Sequence, residues 1–245
     1  MNCTGDGTDI KQSGLVSSSQ AGVHPKLEGY VRRHLASRWT QPLHTPTVDV
    51  FQGLEQSVLL ADTRSLILDS GCGTGESTRR LAGLNPDCLV IGVDQSMARL
   101  GKSGVDSSLL QRDNYVLARA ELATFWRLLH TAGLTLHKHL LLYPNPWPKP
   151  GHLQRRWHAH PVFPWLLALG GEIEMRCNWE IYALEFAEAV RIATGETVEV
   201  KRFQPAEGIS PFEVKYLERR HALYLVVVKE TITDAFKLPW QSIAT

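Results

Sequence analysis

The chain has 245 residues, of which 43% are hydrophobic and 21% charged, with a formal net charge of +1. That length fits one large domain with appendages or two small ones, and the composition is that of a folded globular protein. A polycationic nucleic-acid binder is excluded, so a basic contact surface must be local.

Residues 1–23 are rich in Ser, Gly, Gln and Thr and are expected to be a disordered tail. Residues 24–60 form a basic N-terminal arm carrying "GYVRRHLASRWTQP". From 61 to 230, short apolar runs alternate with helical patterns. "SLILD" reads as a strand and "ESTRRLAGLNP" as a helix stopped by Asn85-Pro86. "CLVIGVD" is a strand and "SMARLGKSG" a short helix; "NYVLAR" is a strand and "ELATFWRLLHTAG" a helix. "HKHLLLY" is a strand that runs into "PNPWPKPGHLQRRW", and "FPWLLALG" is an apolar helix. "GEIEMRC" is a strand and "NWEIYALEFAEAVRIATG" a long amphipathic helix; "TVEVKRF" and "ALYLVVVKE" close the pattern. The tail 231–245 carries Phe236 and Trp240, which either fold back or meet a partner. Alternation of this kind predicts an α/β fold: a mostly parallel seven-stranded sheet with helices on both faces. Ligands of such sheets lie outside the carboxyl ends of the strands, so the residues after each strand are the candidates.

After the first strand comes "DSGCGTGE", with Gly71, Gly73 and Gly75 spaced G-x-G-x-G. Glycines there permit a tight turn and close backbone approach to a ligand, and a helix N-terminus follows. A dinucleotide fingerprint needs a further glycine at 76, where the chain has Glu76. The second strand ends in Asp94. It is either a cap of the next helix or an acceptor for the two hydroxyls of a ribose. The glycine loop beside it favours the nucleoside. Glu121, after the third strand, either approaches an adenine or is a first-turn acid drawn by the helix dipole.

G-x-G-x-G preceded by Asp69 resembles the first motif of class I S-adenosylmethionine methyltransferases. "PNPWPK…RR" resembles the P-D-P-W-P-K…R-R signature of the bacterial tRNA (guanine-N7)-methyltransferases. "YVRRHLASRWTQ" is similar to that family's N-terminal arm, "CNWEIY" to its T-D-W-x-x-Y, and "SPFEVKYLERRH" to its T-x-F-E followed by basic residues. The resemblance runs from about residue 29 to 228 and implies a Rossmann-like methyltransferase using S-adenosylmethionine on tRNA. By that resemblance Asp69, Gly71, Gly73, Gly75, Asp94 and Glu121 contact the cofactor. Asn145 lies beside both cofactor and guanine, in the catalytic position. Lys149, Asn178, Ser210 and Glu213 are substrate-side contacts, and Arg32, Arg33, Arg155 and Arg156 hold phosphates.

The chain departs from the family at Asn145 and Asn178, where the family has aspartates. Asp69 replaces its usual glutamate and Ser210 its threonine. Methylation of guanine N7 uses an available lone pair, but positive charge moves from the sulfonium onto the purine. A carboxylate stabilises that charge; asparagine accepts hydrogen bonds without contributing any. Two alternatives to tRNA guanine-N7 methylation follow. One is an altered target, because Asn-Pro-Trp after a strand also resembles the N-P-P-[YFW] element of amino-group methyltransferases. The other is an impaired relative that binds cofactor or RNA without catalysis.

Other features are read as background. Cys3, Cys72, Cys88 and Cys177 are scattered singly, so neither a zinc site nor a disulfide framework is expected. No acid or cysteine completes a metal set around the histidines, so no metal site is expected. No secretory signal and no apolar run of membrane-spanning length is present, and a cytoplasmic monomer or homodimer is expected. Cys72 reads as an apolar filler, Phe125 and Trp126 as core, and Trp147 as a core anchor beneath its loop.

Overall fold

The computed structural model describes residues 14–59, 62–106 and 108–241. Two helices precede the sheet. α1 (Leu27–Ala36) buries Leu27 and Val31, and α2 (Thr45–Leu54) buries Phe51 and Leu54. Pro46 falls in the first turn of α2, where a backbone N–H would have no helical partner.

β1 (Ser65–Ser70) opens the sheet, and α3 (Glu76–Leu84) crosses over to β2 (Cys88–Asp94). α4 (Met97–Leu100) and β3 (Leu109–Gln111) lead to β4 (Tyr115–Arg119) and α5 (Leu122–Thr131). β5 (Lys138–Leu142), α6 (Phe163–Ala168), β6 (Glu172–Cys177) and α7 (Glu180–Thr194) follow. β7 (Val200–Phe203), α8 (Pro211–Glu218), β8 (Leu223–Val228) and α9 (Glu230–Thr233) complete the fold. The strands lie in the order β3-β4-β2-β1-β5-β6-β8-β7. β4, β2, β1, β5 and β6 are mutually parallel, and β8 runs antiparallel to both β6 and β7. This is the expected mostly parallel sheet with helices packed around it.

The seven expected strands are all present, and an eighth, β3, pairs antiparallel at the β4 edge. Its three residues are too short to display a period of two. β1 and β2 are buried along nearly their whole length, which is why they read as unbroken apolar runs. The chain builds outward from β1 through β2 to β4, then returns to place β5 on the other side of β1. That reversal creates the crevice where open α/β sheets hold ligands.

α8 has no counterpart among the expected elements. Its start is nonetheless written in "SPFE". The Ser210 hydroxyl accepts from the Glu213 N–H at 3.2 Å, and the Glu213 carboxylate reaches back to the Ile209 N–H at 2.7 Å. Such a reciprocal cap is a sequence-level start signal.

Of the tail expected to be disordered, residues 1–13 lie outside the described residues. Residues 14–23 have no helix or strand but touch the domain: the Ser18 hydroxyl donates to the Pro148 carbonyl at 2.6 Å. At the other end Trp240 packs on Trp165 with ring centroids 4.8 Å apart. Phe125 and Trp126 are fully buried, and Cys72 is packed with Leu100, Val105 and Leu117. Among the described residues no helix is long and apolar enough to cross a membrane.

Candidate functional site

The glycine loop leaves the end of β1 with Gly71, Gly73 and Gly75 at φ 79, 60 and 72°, a region closed to most L residues. The Gly71 and Cys72 N–H groups donate to the Val93 carbonyl at 2.7 and 3.1 Å, tying the loop to the end of β2. The three glycines differ in surroundings. A Cβ at Gly75 would lie 2.6 Å from the Leu117 side chain, whereas one at Gly71 would meet nothing within 4 Å. Gly75 is needed for packing; Gly71 faces open space.

Asp94 is 5% exposed at the end of β2. Its Oδ2 accepts from the Gly73 N–H at 3.0 Å and its Oδ1 from the Ser96 N–H at 2.8 Å. It therefore caps the next turn and also braces the glycine loop. Arg99 reaches its Oδ2 at 3.5 Å. Glu121 is the N-cap of α5, with its carboxylate accepting from the Ala123 and Thr124 N–H groups at 3.0 and 2.7 Å.

Asp69 is buried beneath the loop. Its Oδ2 accepts from the hydroxyls of Ser77 and Thr78 at 2.6 and 2.7 Å, while Oδ1 has no partner. Burial pushes its carboxyl up to about 6, against the two hydroxyl donors, which favour the ionised form. A group raised in the folded state holds its proton longer than the unfolded chain does. Stability is therefore expected to decline as pH rises from about 4 to about 6. Asp69→Asn is expected to flatten that decline in urea unfolding measured across the interval; an unchanged slope would remove Asp69 as its source.

The Pro-Trp loop follows β5. Tyr143 and Trp147 both have positive φ, 53 and 44°. For bulky residues such backbone costs on the order of 1–3 kcal/mol and persists only where the surroundings impose it. The Tyr143 hydroxyl donates to Glu213 Oε1 at 2.7 Å, and the Asn145 Oδ1 accepts weakly from the Trp147 N–H at 3.4 Å. Asn145 is exposed.

A cavity of about 510 Å³ joins these elements. Gly71, Asp94 and Glu121 line one part, and Asn145, Trp147 and Arg155 another. Trp147 is thus no core anchor. It is half-buried in the cavity wall, and the Arg155 guanidinium sits 4.7 Å above its ring. Arg156 also departs from expectation: it is 0% exposed and ion-paired to the equally buried Glu185, so it is not at the surface to meet a phosphate. Lys149 and Arg155 are exposed.

The remaining candidates do not line this cavity. Asn178 donates to the Gly14 carbonyl at 3.1 Å. Glu213 is fully buried and accepts from Arg176 at 3.0 Å as well as from Tyr143, so it and Ser210 anchor α8. Arg32 pairs with Glu28 at 2.8 Å on the exposed side of α1, and Arg33 stacks on Tyr30 beside it. Several cavity residues escaped the sequence reading: Arg99, Trp157, His160 and Phe212. Phe212 is 43% exposed, an apolar ring left at the cavity by the first turn of α8. Burial holds His160 down at about 4, hence neutral near pH 7. Its place in "HAHP" carried no signal of this.

Residues 63–220 match the Methyltransf_4 family model, described as "Putative methyltransferase". A tRNA (guanine-N(7)-)-methyltransferase of Streptomyces coelicolor is 26% identical over 153 residues, covering 61% of this chain and 56% of the relative. That of Stutzerimonas stutzeri is 32% identical over 133 residues, covering 51% and 53%. That of Treponema pallidum (strain Nichols) is 25% identical over 215 residues, covering 78% and 86%. The chain thus spans little more than half the length of the first two. Among solved structures, the 16S rRNA methyltransferase KamB is 16% identical with a TM-score of 0.48, covering 76% of this chain and 94% of its own. With the glycine loop, the Pro-Trp loop and strands β1 to β7 falling inside the matched segment, the chain belongs to this methyltransferase family, as a divergent member related to the tRNA (guanine-N7)-methyltransferases.

Proposed function

We propose that the protein transfers a methyl group from S-adenosylmethionine to N7 of a guanine in tRNA. The observation that carries this is the single cavity bounded on one side by Gly71, Asp94 and Glu121 and on the other by Asn145, Trp147 and Arg155. Donor and acceptor sites in one enclosure are what methyl transfer requires.

The residues fit the cofactor. Asp69 keeps an orphaned, buried Oδ1 beneath the loop, and the space a Cβ of Gly71 would enter is open. Asp94 and Glu121 retain lone pairs beyond their capping bonds for a ribose and an adenine. The bound cofactor supplies a sulfonium-borne methyl group. The chain's own task is to align the base and favour the positive charge that develops on it. The prolines stiffen the loop that presents Asn145, which reduces the entropy lost on binding. Lys149 and Arg155, exposed on that loop, and Arg32 and Arg33, exposed on α1, are cations suited to phosphates.

The test is incubation of the protein with bulk unmodified tRNA and methyl-labelled S-adenosylmethionine. Label is expected in 7-methylguanosine. RNA affinity should fall steeply with salt, and Arg155→Ala should lower the slope of log K against log salt by about 1. Label in another nucleoside would establish an altered target. Cofactor binding without any transfer would mark an impaired relative.

A further inference from the structure

Pro144, Pro146, Pro148 and Pro150 have no N–H to offer, so the Pro-Trp loop has few backbone donors of its own. Its Lys149 carbonyl accepts from the His152 N–H at 2.9 Å, and two further carbonyls are captured by side chains. The Trp147 carbonyl accepts from Arg156 Nε at 3.3 Å and Nη2 at 3.1 Å, and the Pro148 carbonyl accepts from Ser18.

Both captures lead to one buried cluster. Arg156 Nη1 donates to Glu185 Oε2 from α7, and Arg156 Nη2 also donates to Gln20 Oε1 at 3.1 Å. Glu185 Oε1 accepts from the Gln20 amide and from the His24 N–H, the latter at 3.0 Å. His158 Nε2 lies 3.0 Å from Glu185 Oε2, and the Trp179 ring faces the guanidinium at 4.8 Å. Arg156 and Glu185 are both 0% exposed.

A buried ion pair is a poor source of stability, because apolar residues of similar volume fill a core at less desolvation cost. What this pair does is geometric. It fixes residues 18–24, the Pro-Trp loop and α7 to one another at a single register. The outcome is read at Trp147, whose left-handed backbone needs imposition and whose ring forms the cavity wall.

Resting on the function proposed above, we infer that Glu185 and Arg156, reached through Ser18 and Gln20, are positioning residues that hold Trp147 and its loop in the transfer geometry. The segment holding Ser18 and Gln20 is then part of the site through its bonds to Pro148 and Arg156.

The test uses the full chain with Gln20→Ala, Glu185→Gln and Arg156→Lys. Gln20 is half-buried at the edge of the cluster, so its variant keeps the fold. In all three, kcat is expected to fall about tenfold to a hundredfold, as misplacement of an aligned group does. Cofactor affinity by calorimetry should be unchanged. Trypsin cleavage after Arg155 should accelerate in each variant under conditions where the thermal midpoint of Gln20→Ala equals that of the parent. The double variant Gln20→Ala, Glu185→Gln should be no slower than Glu185→Gln alone, since both release one clamp. Unchanged kcat and unchanged cleavage in Gln20→Ala and Arg156→Lys would overturn the inference. So would a parallel loss of cofactor affinity and thermal midpoint in all variants, which marks a merely structural cluster. Proteolysis needs no substrate. A parent that fails to methylate tRNA therefore refutes the proposed target, while loop protection still decides the clamp.

Discussion

Asn145→Asp is expected to accelerate methyl transfer by roughly 10²–10³. The substitution is nearly isosteric and places a carboxylate at an exposed position of the cavity wall. The gain comes from charge alone. Positive charge passes to the base during transfer, and a fixed anion nearby is worth more in the transition state than an amide dipole of the same shape. The loop backbone, held by its prolines and by Arg156, should not move. Asn178→Asp is the contrasting variant. Asn178 donates to the Gly14 carbonyl and does not line the cavity, so restoring its acid should leave kcat within about an order of magnitude of the parent's, below the loss expected from one preorganised contact. Single-turnover rates at saturating cofactor check both. A rate for Asn145→Asp no higher than the parent's would show that the charge is supplied elsewhere or that the base is not bound at Asn145.

Two alanine substitutions in the glycine loop should separate packing from binding. Both Gly71→Ala and Gly75→Ala force a side chain into left-handed backbone, at a cost of roughly 1–2 kcal/mol. At Gly75 the added methyl also collides with Leu117 at 2.6 Å, and overpacking of that kind adds roughly 1–3 kcal/mol. Gly75→Ala should therefore lose about 2–5 kcal/mol of unfolding free energy, summing the two effects. At Gly71 the methyl meets no protein atom within 4 Å, so the stability loss stays near the strain alone. Its methyl instead enters the space assigned to the cofactor, and S-adenosylmethionine affinity should fall more than stability does. Denaturant unfolding and calorimetry on both variants give the comparison. Equal losses of stability at the two sites would mean that Leu117 yields freely. Undiminished cofactor affinity in Gly71→Ala would move the cofactor away from this loop.

Sheet and glycine loop were legible because their signals are local. β1 and β2 are buried on both faces and so appear as apolar runs, and the G-x-G-x-G turn needs positive φ at three fixed positions. Asp94 and Glu121 were found by the rule that ligands lie after strands, and both line the cavity. Glu121 is the N-cap of α5 rather than a first-turn acid, and Asp94 accepts from the Ser96 N–H without capping α4, whose N-cap is Ser96; each carboxylate keeps further lone pairs.

Only tertiary structure decided the fate of the basic and aromatic residues. Arg155 and Arg156 are neighbours with the same side chain, yet one is exposed over Trp147 and the other is fully buried against Glu185. Nothing in "QRRW" distinguishes them, because the partner is 29 residues away on α7. Glu213 followed the same logic: an acid in a family motif was claimed by Tyr143, 70 residues earlier, and by Arg176, 37 residues earlier. Trp147 was placed in the cavity wall by backbone that no intrinsic preference of tryptophan would choose. Sequence by itself determined which strands form, where the chain turns on glycine and which acids stand at the strand ends beside the cavity. Long-range pairing determined which charges remain free to meet one, because a charge removed from water must take its partner from wherever the fold brings it.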